Sequence, residues 1–357
     1  MDYLLTIPSS FILLISLINF LTIRTPDKSS QVQESISVIV PLRNEANNVG
    51  ELVASLKDQE NLTHVEFLLL DDNSEDDTLA LLQQHVSGLP NFQILSGTTL
   101  PQGWIGKTWA LQQLFDKSSG EIIVSVDADV RLAPDAISKS VTLLKNAQLD
   151  FLSPYPKQLA LSWSEKLIQP LLQWSWMSTV ILRVAEKSSL ASTVVANGQF
   201  FVVRKAALDQ VSGYNSVRNK VLDDVELARS LVKNGSHGCV ANGATIASTR
   251  MYSSWVEIQA GYGKSLHAAF GSVLGSAIAI TFVFLTGIAP LIAGITGSSI
   301  GWYAFAAVTL TRAMSAIKVG KTGLDAFLHP FSSALLIYLI IFSWMMRGQV
   351  QWKGRTL

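Results

Sequence analysis

Two aspartates one residue apart, Asp127 and Asp129, stand at the end of the apolar run Ile122, Ile123, Val124, Ser125, Val126. On an extended strand that spacing puts both carboxylates on one face. Two like charges delivered to one spot need a counter-cation, and a divalent metal holding a diphosphate supplies one. The plainer reading is a strand end whose acids face water. Other acids fall in comparable places: Glu45 after a first apolar run, Asp71 and Asp72 after a second, and Asp223 and Asp224 ahead of a helix-like stretch. Arg43 and Lys107 lie in the same set of loops.

The elements that would position these groups alternate. Residues 36–40 form a β-branched run stopped by Pro41, which reads as a buried strand. Val49, Leu52, Val53 and Leu56 then recur at helical spacing. A strand over 65–70, a helix with Leu79, Leu82 and Val86, a strand over 92–95, a helix from about 107, a strand over 121–126 and a helix from about 133 continue the series. Such alternation implies an α/β fold with a mostly parallel sheet covered on both faces, and ligands beyond the carboxyl ends of its strands.

The turn after the first strand, Pro41-Leu-Arg-Asn-Glu45, lacks the Gly-x-Gly-x-x-Gly of a dinucleotide fold. Gly106-Lys107-Thr108 imitates the end of a P-loop, but Pro101 stands where its first glycine belongs. Ser74 with Glu75, Asp76 and Asp77 reads as the cap and acidic first turn of the next helix. Asp71, ending its strand directly, is placed to accept the imide N–H of a uracil. The arrangement fits a uridine-type nucleotide diphosphate with a metal. Asp223 and Asp224 read either as a helix cap or, beside such a site, as a general base for an acceptor hydroxyl. Crowding by the other acids would raise its pKa.

The 357 residues carry 27 basic and 27 acidic side chains, so charge gives no case for nucleic-acid binding. One cysteine, Cys239, excludes a disulfide framework and a cysteine-rich zinc site. The five histidines are scattered without a ligand pair. A hydrophobic share of 48%, only 15% charged residues and a mean hydropathy of +0.32 point to a membrane protein.

Residues 1–24 read as an N-terminal transmembrane helix rather than a signal peptide, since no Lys or Arg precedes the apolar run. Residues 35–264 form the polar domain, 268–346 the C-terminal membrane segments and 347–357 a basic tail. The Gly- and Pro-bearing run 268–295 reads as one span or a re-entrant pair, with further runs over 302–319 and 327–346. Residues 163–186 read as a core helix or, given tryptophans flanking an apolar stripe, as an interfacial helix that guides an apolar substrate through Leu171 and Trp174, while Gln169, Pro170, Gln173 and Arg183 speak against a span. Arg312, inside an apolar run, faces lipid phosphate or snorkels.

Four motifs in this order, residues 36–45, Asp71-Asp72-Asn-Ser-Glu-Asp-Asp-Thr78, Asp127-Ala-Asp129 and Asp223-Asp224-Val-Glu-Leu227, resemble the family 2 glycosyltransferases. The resemblance implies a GT-A (Rossmann-like) domain, a nucleotide-sugar donor, Mg2+ or Mn2+, and inversion at the anomeric carbon by one displacement. It makes Asp71 the uracil-binding acid, with Pro41, Arg43, Glu45 and Lys107 around the nucleotide sugar. Asp127 touches ribose or metal, Asp129 is the metal ligand, and Asp224 is the catalytic base. Most members have Glu-Asp where this chain has Asp223-Asp224, which leaves open which acid takes the proton.

Gly103-Trp-Ile-Gly-Lys-Thr108, Arg250-Met-Tyr252, Gln259-Ala-Gly-Tyr-Gly-Lys264, His329-Pro330 and residues 350–355 are similar to the membrane carotenoid glycosyltransferases. That implies a multi-pass cell-membrane enzyme with a cytoplasmic catalytic domain, moving glucose from UDP-glucose to an isoprenoid-like acceptor, with Tyr262 near the acceptor. Polyprenyl-phosphate, hopanoid and ceramide-type acceptors are the alternatives on the same scaffold. Processive synthases carry Gln-x-x-Arg-Trp where this chain has residues 259–264, which argues for a single transfer. Lys264 either stabilises the departing diphosphate or snorkels at the membrane boundary. A transporter or scaffold with a degenerate nucleotide domain is the reading from another class; the intact acids speak against it.

Overall fold

The computed structural model describes residues 2–347 and the short strands Gln351–Trp352 and Arg355–Thr356. Helix α1 (Asp2–Thr22) is followed by β1 (Val32–Leu42), α2 (Ala46–Lys57), β2 (Leu62–Asp71), α3 (Thr78–Val86), β3 (Phe92–Ser96), α4 (Gly106–Lys117) and β4 (Ile122–Val126). Then come β5 (Val130–Leu132), α5 (Ala136–Asn146), β6 (Phe151–Tyr155), β7 (Lys157–Gln158), α6 (Trp163–Thr179), α7 (Leu182–Ala185), β8 (Phe200–Arg204), α8 (Lys205–Gln210) and α9 (Asp223–Lys233). Strands β9 (Gly238–Asn242) and β10 (Ala247–Thr249) precede α10 (Trp255–Phe270), α11 (Val273–Val283), α12 (Ala289–Ile295), α13 (Ser299–Lys318) and α14 (His329–Met345).

The main sheet has the order β3-β2-β1-β4-β8-β6-β9. Its pairs are parallel except those of β8, which runs antiparallel to both β4 and β6. The period-2 alternation of β1 explains the layers. Val38 and Val40 join one core with Leu52 and Leu56 of α2, while Ile39 turns to the other with Leu111 of α4 and Leu231 of α9. Burying each such side chain contributes roughly 1.5–3 kcal/mol. A smaller sheet, β5-β10-β7, closes beside the end of β4.

Three helical stretches, Tyr3–Thr22, Val273–Ile295 and Leu324–Met345, are long and apolar enough to cross a membrane. On α1, Tyr3, Ile7, Phe11, Leu14, Leu17 and Leu21 form an exposed stripe at helical spacing, the pattern of a lipid-facing side. Its other side is buried, and Asn19 clamps the chain after α6, donating to the Met177 and Val180 carbonyls and accepting from Leu182 N–H. Val273–Ile295 is one continuous helical rod, not a re-entrant pair. At 23 residues it is about 34 Å long, enough for a bilayer core. Its π-turn Phe284–Ile288 precedes Pro290, whose missing N–H leaves the Thr286 carbonyl without its usual partner. Helix α13 is not among these stretches, because Arg312, Lys318 and its hydroxyl side chains lower its hydropathy.

Within 163–186, Leu171 and Trp174 face other helices of the protein. Helix α6 packs against α1, α10, α13 and α14, and Leu171 and Trp174 are both buried there. The indole N–H of Trp174 donates to Thr311 Oγ1 at 2.8 Å, and Gln173 donates to the Ser315 carbonyl. Ile168, Leu171 and Met177 of the stripe are buried in protein, and Leu172 is 40% exposed. The basic tail lies outside the described residues, apart from Arg347 and the backbone of its two short strands.

Candidate active site

The acids sit where β1, β2 and β4 end. Asp71 is the last residue of β2, in register with Leu42, and Asp72 N–H donates to the Leu42 carbonyl. Asn44 and Asn73 turn the two following loops with positive φ, 52° and 53°, a conformation Asn tolerates better than most residues. The loops are stitched together: Asn44 N–H donates to Ser74 Oγ, and Glu75 N–H to Asn44 Oδ1. Ser74 therefore bridges loops instead of capping α3; Asp76 accepts from Thr78 N–H there. Asp71 is 5% exposed and its Oδ1 has no partner among the described residues. An orphan acceptor at this depth awaits an N–H or O–H from a ligand or water.

Arg43, assigned to the nucleotide cradle, also braces the loop after β2. It donates to the Asp72 and Asn73 carbonyls at 2.7 Å and pairs with Glu75 at 3.0 Å. A guanidinium held this way shapes the loop that carries Asp71. Pro41 precedes it on β1, and Glu45 accepts from Asn48 at the start of α2.

Asp127 and Asp129 lie beyond the strand rather than on it. They occupy a tight turn closed by Val130 N–H on the Asp127 carbonyl, which links β4 to β5. Burial, then the charges of Asp127 and Glu45, push the Asp129 pKa up to about 6. Thr249 of β10 donates to Asp129 Oδ2 at 2.9 Å. Lys107, in the first turn of α4, sits 2.7 Å from Asp127 Oδ1. Burial lowers its pKa, but Asp127, Asp223 and Asp224 outweigh that and hold it well above the ordinary lysine value.

Asp223 and Asp224 open α9 on the other side of Lys107. Burial raises the Asp223 pKa to about 6, Lys107 opposing it and Asp224 and Asp127 reinforcing it. Burial also raises Asp224, against Lys107 and two backbone donors. Those donors are Gly198 N–H on Oδ2 at 2.7 Å and Val225 N–H on Oδ1 at 2.8 Å. Each oxygen keeps a second lone pair, so the carboxylate is fixed in direction yet still able to take a proton.

Sequence reasoning passed over two groups: Thr249, and the Asn197-Gly198 turn before β8. The second has a readable signal, an Asn-Gly pair ahead of an apolar run. A Cβ at Gly198 would lie 3.0 Å from Asp224 Cβ. Tyr252, whose pKa burial and the Asp129 charge raise to about 12, stacks obliquely on Tyr262 at 5.9 Å. Tyr262 and the half-buried Lys264 belong to α10. Leu171 and Trp174 are not part of this cluster.

Among the described residues no group of three or more His, Cys, Asp or Glu is arranged to hold a metal ion. Mg2+ characteristically takes one or two carboxylates plus substrate phosphates, so the Asp127–Asp129 turn with its oxygen donors fits such an ion.

The model of glycosyl transferase family 2 matches residues 37–211. The beta-monoglucosyldiacylglycerol synthase of Trichormus variabilis is 27% identical over 195 residues, 54% of this chain and 40% of that protein. The 4,4'-diaponeurosporenoate glycosyltransferase of Staphylococcus haemolyticus is 31% identical over 133 residues, 36% of this chain and 34% of that protein. The chain thus spans less than half the length of these curated relatives. The mannosyltransferase of Pyrobaculum calidifontis, solved in complex with GDP-Man and Mn2+, superposes with a TM-score of 0.52 at 14% identity, over 94% of this chain and 98% of that one. The shared architecture is the GT-A fold. Residues 37–211 are thus a domain of glycosyl transferase family 2.

Proposed function

We propose that the protein transfers one sugar, glucose from UDP-glucose, to a membrane lipid of isoprenoid type, with inversion at the anomeric carbon. The observation that carries the donor reading is Asp71: a buried carboxylate with an unpartnered Oδ1 at the carboxyl edge of the sheet. A uracil imide supplies the N–H that it lacks. The lipid-related names of the relatives and the three apolar helices support the acceptor reading.

In the step, an acceptor oxygen attacks the anomeric carbon while the bond to the diphosphate oxygen breaks. The acceptor proton passes to Asp224, which the Gly198 and Val225 N–H groups hold in place. Lys107 offers positive charge to the departing diphosphate once it leaves Asp127. Mg2+ or Mn2+, held by Asp129 and Asp127, would neutralise diphosphate charge when bound. A nucleotide sugar is a cytosolic substrate, so the catalytic domain faces the cytoplasm of a multi-pass protein. The test is incorporation of label from UDP-glucose into extracted lipid by the purified chain. A labelled lipid of mass one hexose above its precursor is expected; label that stays wholly in nucleotide and free sugar overturns the reading.

A further inference from the structure

A small cleft, partly open to solvent, lies between α6, the end of α13 and the following turn. Gln158, Gln169, Gln173, Arg312, Lys321 and Asp325 are among its walls. Arg312 is 4% exposed, and among the described residues no carboxylate comes within 4 Å of it. Its contacts are the His329 ring at 3.4 Å and the face of Trp174 at 5.8 Å. A guanidinium brings five N–H donors, and these contacts leave most of them to be satisfied from the cavity.

The surrounding charge is one-sided. The Lys321 ammonium makes no hydrogen bond or ion pair among the described residues. Burial lowers its pKa, Asp325 raises it, and the charges of Lys157 and Lys166 lower it further. A Cβ on Gly320 would lie 3.9 Å from Lys157 Nζ. Arg312 and Lys321 line the cavity with one carboxylate, Asp325, and Lys157 and Lys166 add positive charge near Lys321. Gln169 adds a buried Oε1 without a partner; its amide is oriented by donation to the Tyr252 carbonyl, so the oxygen calls for an O–H or N–H. Beside this polar interior the surface is apolar: Leu324 and Phe327, sequence neighbours of the lining residues Gly323, Asp325 and Ala326, are both more than 60% exposed. Cations inside and exposed apolar side chains outside match an amphiphile, with an oxyanion in the cavity and hydrocarbon along the rim.

One wall reaches the reaction centre. Gln158 donates to Gln199 Oε1 at 2.8 Å, and the Gln199 carbonyl accepts Asp127 N–H. Gln158 is also the ladder neighbour of Thr249, whose hydroxyl holds Asp129.

We propose that this cavity binds the oxyanion headgroup, phosphate or carboxylate, of a membrane lipid beside the Asp127–Asp129 turn. The binding is independent of whether the chain transfers sugar, so it is read without turnover. Native mass spectrometry of the full chain in neutral detergent is titrated with phosphatidylglycerol, phosphatidylcholine and a long-chain isoprenyl phosphate. Both anionic lipids should be retained more tightly than phosphatidylcholine, with about a fivefold loss for each of Lys321→Gln and Lys166→Gln, both at partly or fully exposed positions. UDP affinity should stay unchanged in these variants. Competition separates the sources: phosphatidylglycerol displacing the isoprenyl phosphate marks a resident bilayer lipid, and failure to displace it marks an acceptor headgroup. Equal retention of phosphatidylcholine and the anionic lipids, or unaltered retention in both lysine variants, overturns the proposal. Inorganic phosphate competing as well as the lipids overturns its lipid part.

Discussion

Lys107 Nζ lies 2.7 Å from Asp127 Oδ1 and carries its charge between that turn and the Asp223–Asp224 pair. One cation therefore serves both the place assigned to the diphosphate and the place assigned to the base. Lys107→Met leaves three carboxylates facing one another. A charge-assisted bond contributes about 1.5–3 kcal/mol, so donor affinity should fall about 10- to 100-fold. Calorimetric titration with UDP-glucose checks this.

The same relationship sets the pH response. Asp223 titrates near 6, and Asp224 is raised in the same direction. A base must be ionised to accept a proton, so the acid limb of kcat/KM should lie above the ordinary aspartate range, falling roughly tenfold per unit below the raised Asp224 pKa. Removing Lys107 takes away the charge that pulls both pKa values down, and the acid limb should move to higher pH. A limb near pH 4 in both proteins contradicts the placement.

Much of this was legible in the sequence. The alternation in β1 and β2 and the helical spacing of Val49, Leu52, Val53 and Leu56 are local patterns, and the acids at strand ends follow from them. What stayed hidden depends on partners distant in sequence. Trp174 looks like an interfacial tryptophan until Thr311, 137 residues away, receives its N–H. Arg43 reads as part of the nucleotide cradle, and its bonds to the Asp72 and Asn73 carbonyls, which shape the same loop, are not readable from spacing. Asp127 and Asp129 suit a strand by spacing, but a turn closed at Val130 carries them.

Because Trp174 is buried in the helix cluster, Trp174→Ala should act on stability rather than on acceptor KM alone. Large-to-small changes at such sites cost about 3–5 kcal/mol, which a thermal melt in detergent would show as a lower Tm. A variant of unchanged Tm with only acceptor KM raised would return Trp174 to the substrate path.

Gly198→Ala puts a Cβ 3.0 Å from Asp224 Cβ and shifts the base by a few tenths of an ångström. The expected result is about a tenfold lower kcat, part of the 10²–10⁴ that positioned proton transfer supplies, with donor affinity intact. Steady-state kinetics beside calorimetry separates the two.

Thr249→Val removes the hydroxyl that orients Asp129. Groups that orient a metal ligand typically contribute 10- to 100-fold to metal affinity, so Mn2+ binding followed by electron paramagnetic resonance should weaken by about that factor in the presence of UDP. Unchanged Mn2+ binding in Thr249→Val and in Asp129→Ala alike would remove the metal from this turn.

The central claim is a division of labour: Asp71 recognises the donor and Asp224 activates the acceptor. The direct measurement pairs calorimetry of UDP-glucose binding with single-turnover transfer for Asp71→Ala, Asp223→Asn and Asp224→Asn. The account expects Asp224→Asn to bind donor like the wild type while transfer falls about 10²- to 10⁴-fold. Asp71→Ala should lose donor affinity, and Asp223→Asn should keep measurable transfer. A dead Asp223→Asn beside an active Asp224→Asn, or full donor affinity in Asp71→Ala, contradicts it.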